Sequence, residues 1–118
     1  MAYDERVARR VRRALTKHPG VVEKKMFGGL AFLLHGHMCC GVIGDELMVR
    51  VGPAAYDAAL SQPHARKMDF TGKPLTGFVY VGPAGFASPG GLGAWVARGT
   101  EFALSLPSKQ RRMRNSGA

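Results

Sequence analysis

A chain of 118 residues with 46% apolar content has enough material for one self-sufficient core, without disulfide or metal staples. Its 17 Lys and Arg against 8 Asp and Glu give a formal charge of +9, which points toward a polyanion or an acidic partner, while the apolar content excludes a disordered chain. No apolar run approaches the ~18 residues of a bilayer-spanning helix, and the sequence is charged within its first residues, so neither a membrane span nor a secretory signal is expected and a cytoplasmic location is.

The charge sits at the two ends. Residues 1–25 carry Arg6, Arg9, Arg10, Arg12, Arg13, Lys17, Lys24 and Lys25 against Asp4, Glu5 and Glu23. Residues 109–118 carry Lys109, Arg111, Arg112 and Arg114 and no acid, and the segment between is balanced. From Asp4 to His18, Val7, Val11, Ala14 and Leu15 recur at helical spacing with Tyr3 one turn earlier, so one stripe faces a core. Asp4 caps this helix and Pro19-Gly20 stops it. At about 100° per residue, Arg6, Arg10, Arg13 and Lys17 are assigned to one flank, and Arg9 and Arg12 to the other side.

From Val21 the period changes to two and Gly punctuates short apolar runs, which predicts an antiparallel meander. Its strands are placed at 22–27, 30–34, 38–43 and 46–51, with turns at Gly28-Gly29, His35-Gly36-His37 and Gly44-Asp45. In the last strand Leu47, Val49 and Val51 share one face and Glu46, Met48 and Arg50 the other, so one side is expected dry and the other wetter.

Gly52-Pro53 is read as opening a short helix with Pro at its first position and Tyr56, Ala59 and Leu60 on its buried edge, ended by Pro63. A short strand at 66–70, a loop at Thr71-Gly72-Lys73-Pro74 and a strand at 77–81 follow, then a Gly- and Pro-rich loop to Ser88. Ser88 caps and Pro89 starts a final helix in which Leu92, Trp95, Val96, Phe102, Ala103 and Leu106 keep i, i+3, i+4 spacing. Gly99 lies on that apolar face. A mid-helix Gly costs about 1 kcal/mol relative to Ala, so its presence predicts close approach of this helix to the sheet. Pro107 closes the domain, residues 1–107, and 108–118 reads as a mobile basic tail. The fold class expected is α+β, a two-layer sandwich with an antiparallel sheet of about five to six strands and helices packed on one face.

Several segments carry a resemblance. Met26-Phe27-Gly28-Gly29-Leu30-Ala31-Phe32, Gly44-Asp45-Glu46-Leu47-Met48-Val49-Arg50-Val51-Gly52, Met68-Asp69-Phe70-Thr71-Gly72-Lys73-Pro74-Leu75 and Gly77-Phe78-Val79-Tyr80-Val81 resemble the N-terminal domain of the TfoX/Sxy competence regulators, over about Asp4 to Pro107. The resemblance implies the same α+β fold and a regulatory, non-catalytic setting, because full-length members, which carry a second helical domain, promote transcription of DNA-uptake genes. It brings no catalytic residues to carry over.

Among candidate sites, the first is a nucleic-acid or acidic-partner surface made by Arg6, Arg10, Arg13 and Lys17 with Lys109, Arg111, Arg112 and Arg114. Six to eight phosphate contacts of this kind would give a salt slope of about −5 to −7. No aromatic stacking platform or groove-reading motif accompanies the arginines, so binding would be sequence-nonspecific. His35, His37, Cys39 and Cys40 lie within six residues, but Gly36 marks a turn and no second ligand pair exists, His18 and His64 being isolated. Neither a metal nor another cofactor is expected. Cys39 and Cys40, neighbours on a strand, are expected to point to opposite faces, unbridged and inert. Gly82 to Gly93 and Gly72-Lys73 lack the P-loop pattern, and Asp69 reads as a loop cap. Glu23, Lys24 and Lys25 discourage strand pairing at one sheet edge, while a homodimer through the other edge, or through an exposed apolar helix face, fits the sequence as well as a monomer. The reading reached is a non-enzymatic regulatory or adaptor domain. Its alternative is a protein-interaction module binding an acidic partner with no role for DNA; a small enzyme using Cys39 or Asp69 ranks last.

Overall fold

A computed structural model describes residues 3–26, 28–69 and 74–107. The first helix, α1 (Glu5–Ala14), begins where the Asp4 carboxylate accepts a hydrogen bond from the Arg6 backbone N–H at 2.8 Å. It buries Val7, Ala8 and Val11, and Leu15 closes it by bonding back to the Val11 and Arg12 carbonyls. Strands β1 (Val21–Met26), β2 (Gly29–Leu34), β3 (His37–Ile43) and β4 (Glu46–Arg50) follow as the expected meander. Then come α2 (Tyr56–Leu60), β5 (Ala65–Asp69), β6 (Pro74–Val81), a 3-10 turn at Pro83–Phe86 that buries Phe86, and α3 (Pro89–Ser105). The sheet is antiparallel throughout, in the order β1-β2-β3-β4-β6-β5, so β1 and β5 are its edges. This is the α+β two-layer arrangement with six strands and helices on one face. Among the described residues no helix is long and apolar enough to cross a membrane. The proposed tail 108–118 and the loop residues Thr71, Gly72 and Lys73 lie outside the described residues.

Period-two alternation sends Leu30, Phe32, Leu34, Val42, Leu47, Val49, Val79 and Val81 to the helix side. There they meet Val7, Val11 and Leu15 of the α1 region, Ala59 of α2, and Leu92, Trp95, Val96 and Ala103 of α3 in one core. The alternation breaks at β3. Phe32 pairs with Cys40 but Leu33 pairs with Met38, leaving Cys39 as the extra residue of a β-bulge. The expectation of opposite-facing thiols is corrected by this bulge, which turns both cysteines into the helix-side core with their Sγ atoms 3.8 Å apart. The bulge also pushes the Cys39 carbonyl outward against α3. A Cβ placed on Gly99 would stand 2.2 Å from that oxygen, so the expected close approach is present and its partner is the bulge itself.

Two further expectations are corrected. The second helix does not begin at Pro53. Val51 and Gly52 both donate their N–H groups to the Gly77 carbonyl, and Gly52 adopts a left-handed φ of 85° beneath the Phe102 ring, so the backbone stays tied to β6 and helix geometry starts only at Tyr56. The outer side of the sheet is not wet either. Met26, Ala31, Leu33, Met38, Ile43, Met48, Met68, Phe78 and Tyr80 form a second apolar cluster there, in which Met48 is only 1% exposed. Flexible thioethers fold over the gaps left by small residues: a Cβ on Gly41 would lie 2.7 Å from the Met48 Cε.

The Gly99 seat makes a stability prediction. Gly99→Ala is expected to lose about 2–3 kcal/mol in urea unfolding, the overpacking cost exceeding the gain in helix propensity. Gly93→Ala, whose Cβ would meet nothing within 4 Å, gains up to about 1 kcal/mol in the same helix.

Candidate polyanion-binding face

The cations of α1 divide into three kinds. Arg12 faces β1, where its Nη2 donates to Glu23 Oε1 at 2.8 Å and its Nε donates to Oε2, with Glu5 a further 3.9 Å neighbour. The Glu23 hydrogen bond raises the Arg12 guanidinium, and reciprocally the Arg12 hydrogen bond holds the Glu23 carboxyl below its ordinary range. Because the folded-state carboxyl is the stronger acid, the pair stabilises the fold above the ordinary Glu pKa and ceases to do so as pH falls through the lowered value.

Arg10 is half-buried and acts as a strut. Its Nη2 donates to the carbonyls of Phe86, Ala87 and Ser88 at 2.8, 3.2 and 3.3 Å, and the guanidinium lies 5.9 Å from the Phe86 ring centroid. These carbonyls follow the 3-10 turn just ahead of α3; that of Ser88 also accepts the Leu92 N–H as the first bond of the helix, while those of Phe86 and Ala87 precede it. The one Nη2 amino group, sharing its two N–H bonds among them, ties α1 to the start of α3.

Arg6, Arg9 and Arg13 form the third kind. All three are exposed, and none makes a hydrogen bond through its side chain or an ion pair among the described residues. With Arg10 they line a shallow groove of about 280 Å³. Arg9 therefore belongs to the flank from which the sequence reading removed it; at about 100° per residue it stands only about 40° from Arg13. A second groove of about 240 Å³, between α1 and α3, is lined by Arg10, Arg13, Ala14, Pro89, Leu92 and Gly93. Lys17 is exposed in the turn after α1 and lines neither groove. Lys109, Arg111, Arg112 and Arg114 lie outside the described residues.

A helix whose i, i+3 and i, i+4 neighbours are all cations carries a repulsion of about 0.2–0.5 kcal/mol per pair. Arg6, Arg9, Arg10 and Arg13 are spaced in that way, so an anion laid along them relieves a strain already present in the free protein.

The histidine and cysteine cluster has a different fate. His35 occupies the β2–β3 turn at a φ of 54°, while the buried His37 donates its Nε2–H to the Pro107 carbonyl at 2.6 Å and so ties down the end of the described chain. The Cys40 thiol is pushed well up by its hydrogen bond with Cys39 and by burial, which leaves it a poor nucleophile. Among the described residues no three His, Cys, Asp or Glu side chains gather as metal ligands.

Arg10→Ala is expected to cost about 2 kcal/mol in thermal or urea unfolding, since the Phe86 and Ala87 carbonyls lose their donor and the Phe86 ring loses its cation, whereas Arg13→Ala stays within about 0.5 kcal/mol. For the exposed ion pair, Arg12→Ala should cost less than about 1 kcal/mol at neutral pH, and the difference from the parent protein should shrink toward zero when unfolding is repeated near pH 3.

In comparisons with known proteins, residues 13–103 match the TfoX N-terminal domain family. No curated protein and no solved structure matches the chain.

Proposed function

The chain belongs to the TfoX N-terminal domain family, and from that premise we propose that it is a cytoplasmic, non-enzymatic regulatory module that acts by binding nucleic-acid phosphates along α1. The observation that carries this reading is the sorting of cations on one helix: Arg12 is matched to Glu23, Arg10 is bonded to backbone, and Arg6, Arg9 and Arg13 face solvent together without an ion-pair partner among the described residues. From Arg6 to Arg13 the row is about 10 Å long, at 1.5 Å per residue. That length faces about three successive phosphates of a strand at 3.4 Å of axial rise each. Neutralising them releases condensed counterions, and this sets affinity without reading sequence. Lys17 and the tail cations Lys109, Arg111, Arg112 and Arg114 extend the contact in this reading. The family is not one of known enzymes, and regulation through binding is consistent with a site that offers guanidinium groups and no acid, base or nucleophile among them.

The test is duplex binding against salt. A labelled 20-bp duplex titrated with the full chain at several NaCl concentrations should give a log–log slope of about −5 to −7, and the Arg6→Ala, Arg9→Ala, Arg13→Ala triple variant should make it shallower by about 2.7. Arg12→Ala, whose partner is Glu23, should leave the slope within about 1 of the parent value. An unchanged slope in the triple variant overturns the reading. Loss of binding to polyglutamate with intact duplex binding in that variant would instead assign the face to an acidic protein partner.

A further inference from the structure

A third cleft opens on the other flank of α3, away from the arginine row, and we propose that it binds a small aromatic carboxylate. It lies between the α2–β5 turn, the 3-10 turn and the first half of α3, with a volume of about 300 Å³, at the lower end of the range for small-ligand sites. Gly85 and Gly91 line it without side chains. A Cβ on Gly85 would come within 2.6 Å of Val81 Cγ1 and 3.0 Å of His64 Cβ, so the 3-10 turn sits tight against both and the space beside it stays open. His64 holds a left-handed φ of 69°, an uncommon conformation for a side-chain-bearing residue, fixed there by the Gly82 N–H bonding to its carbonyl at 3.0 Å.

Arg98 and Trp95 supply the chemistry. The Arg98 guanidinium stands 5.0 Å from the Trp95 ring centroid, and Trp95 itself is 5% exposed. Arg98 is half-buried, yet among the described residues it has no carboxylate partner and no hydrogen bond through its side chain. Among the described residues no Asp or Glu lines the cleft. A partly desolvated cation without a counter-charge is an incomplete arrangement, and an anion completes it. The contact with the indole uses none of the guanidinium N–H donors, and these form the planar fork that matches a carboxylate in bidentate fashion. One permanent cation suits a single negative charge better than a doubly charged phosphate. The amide of Gln62 and the imidazole of His64 add polar edges, while Pro63, Ala84 and Ala94 offer flat apolar walls for a ring. The carboxylate therefore pairs with Arg98 and the ring lies along those walls. The inference stands apart from nucleic-acid binding, because it uses none of the α1 arginines.

Trp95 is the chain's only tryptophan, so intrinsic fluorescence excited at its red edge reads the cleft directly. Titration of the full chain with benzoate should give a saturable change with a half-point of about 1 mM, as a ligand of this size allows. Acetate, which lacks the ring, and benzamide, which lacks the charge, should each bind at least about tenfold more weakly. Because Arg98→Gln alters the reporter's surroundings, binding to that variant is read by saturation-transfer NMR on benzoate, where the signal should fall about tenfold with the circular dichroism spectrum unchanged. No saturable response to benzoate up to about 20 mM, equal binding of benzamide, or undiminished binding by Arg98→Gln overturns the proposal. None of these outcomes bears on the salt slope of the duplex.

Discussion

The seat of α3 on the β3 bulge governs the rest of the molecule. Only a residue without a Cβ lets the helix backbone descend onto the Cys39 carbonyl, and only a bulge presents that carbonyl outside the regular ladder. Once α3 is placed there, its apolar stripe covers β2, β3 and β4, and Phe102 closes over Gly52. Its far end reaches His37, which bonds the Pro107 carbonyl, and its near end meets the carbonyls that Arg10 gathers. Both ends of one helix are thus fixed by polar contacts with distant parts of the chain, while its middle is fixed by steric fit.

The same placement explains why one helix can be so basic. A cationic helix standing alone would lose stability through repulsion between neighbouring turns. Here α1 gains its stability from Val7, Ala8 and Val11 in the shared core, from the Asp4 cap and from the Arg10 strut. Burial of a few aliphatic side chains outweighs several like-charge pairs at a few tenths of a kcal/mol each. The exposed flank, where Arg6, Arg9 and Arg13 make no side-chain hydrogen bond or ion pair among the described residues, is then free of structural duty.

Features set by local pattern were legible in the sequence, and those set by contacts distant along the chain were not. Strand periodicity placed β1 to β4 within a residue or two, and the spacing of Leu92, Trp95 and Val96, with a costly Gly99 among them, announced a helix that presses on the sheet. The bulge left no such mark, because an extra residue in an apolar run looks like any other residue of the run; Cys39 and Cys40 were accordingly misplaced relative to each other. Arg10 bonds carbonyls 76 to 78 residues away, and nothing in a helical wheel separates such an arginine from its solvent-facing neighbours. Arg9 was different: its angular position next to Arg13 was available from helical geometry alone. The cleft at Arg98 brings together two turns and a helix from three separate stretches of the chain, and single-sequence patterns are blind to that convergence.

The outer sheet face shows how a two-layer fold keeps all its helices on one side. Met38, Met48 and Met68 are nearly inaccessible although, among the described residues, no helix packs over them. Unbranched thioethers bend across Ala31 and Gly41, and the aromatic rings of Phe78 and Tyr80 flank them. Arg50 lies 5.5 Å from the Phe78 centroid and Arg66 lies 4.8 Å from that of Tyr80, each covering apolar ring surface while its charge stays at the rim; Arg66 is also paired with Glu46. Side chains of the sheet itself thereby do the work of a third layer. With that face sealed from within, α1 is not needed as its cover and remains beside α3, where one flank enters the core and the other carries Arg6, Arg9 and Arg13 into solvent.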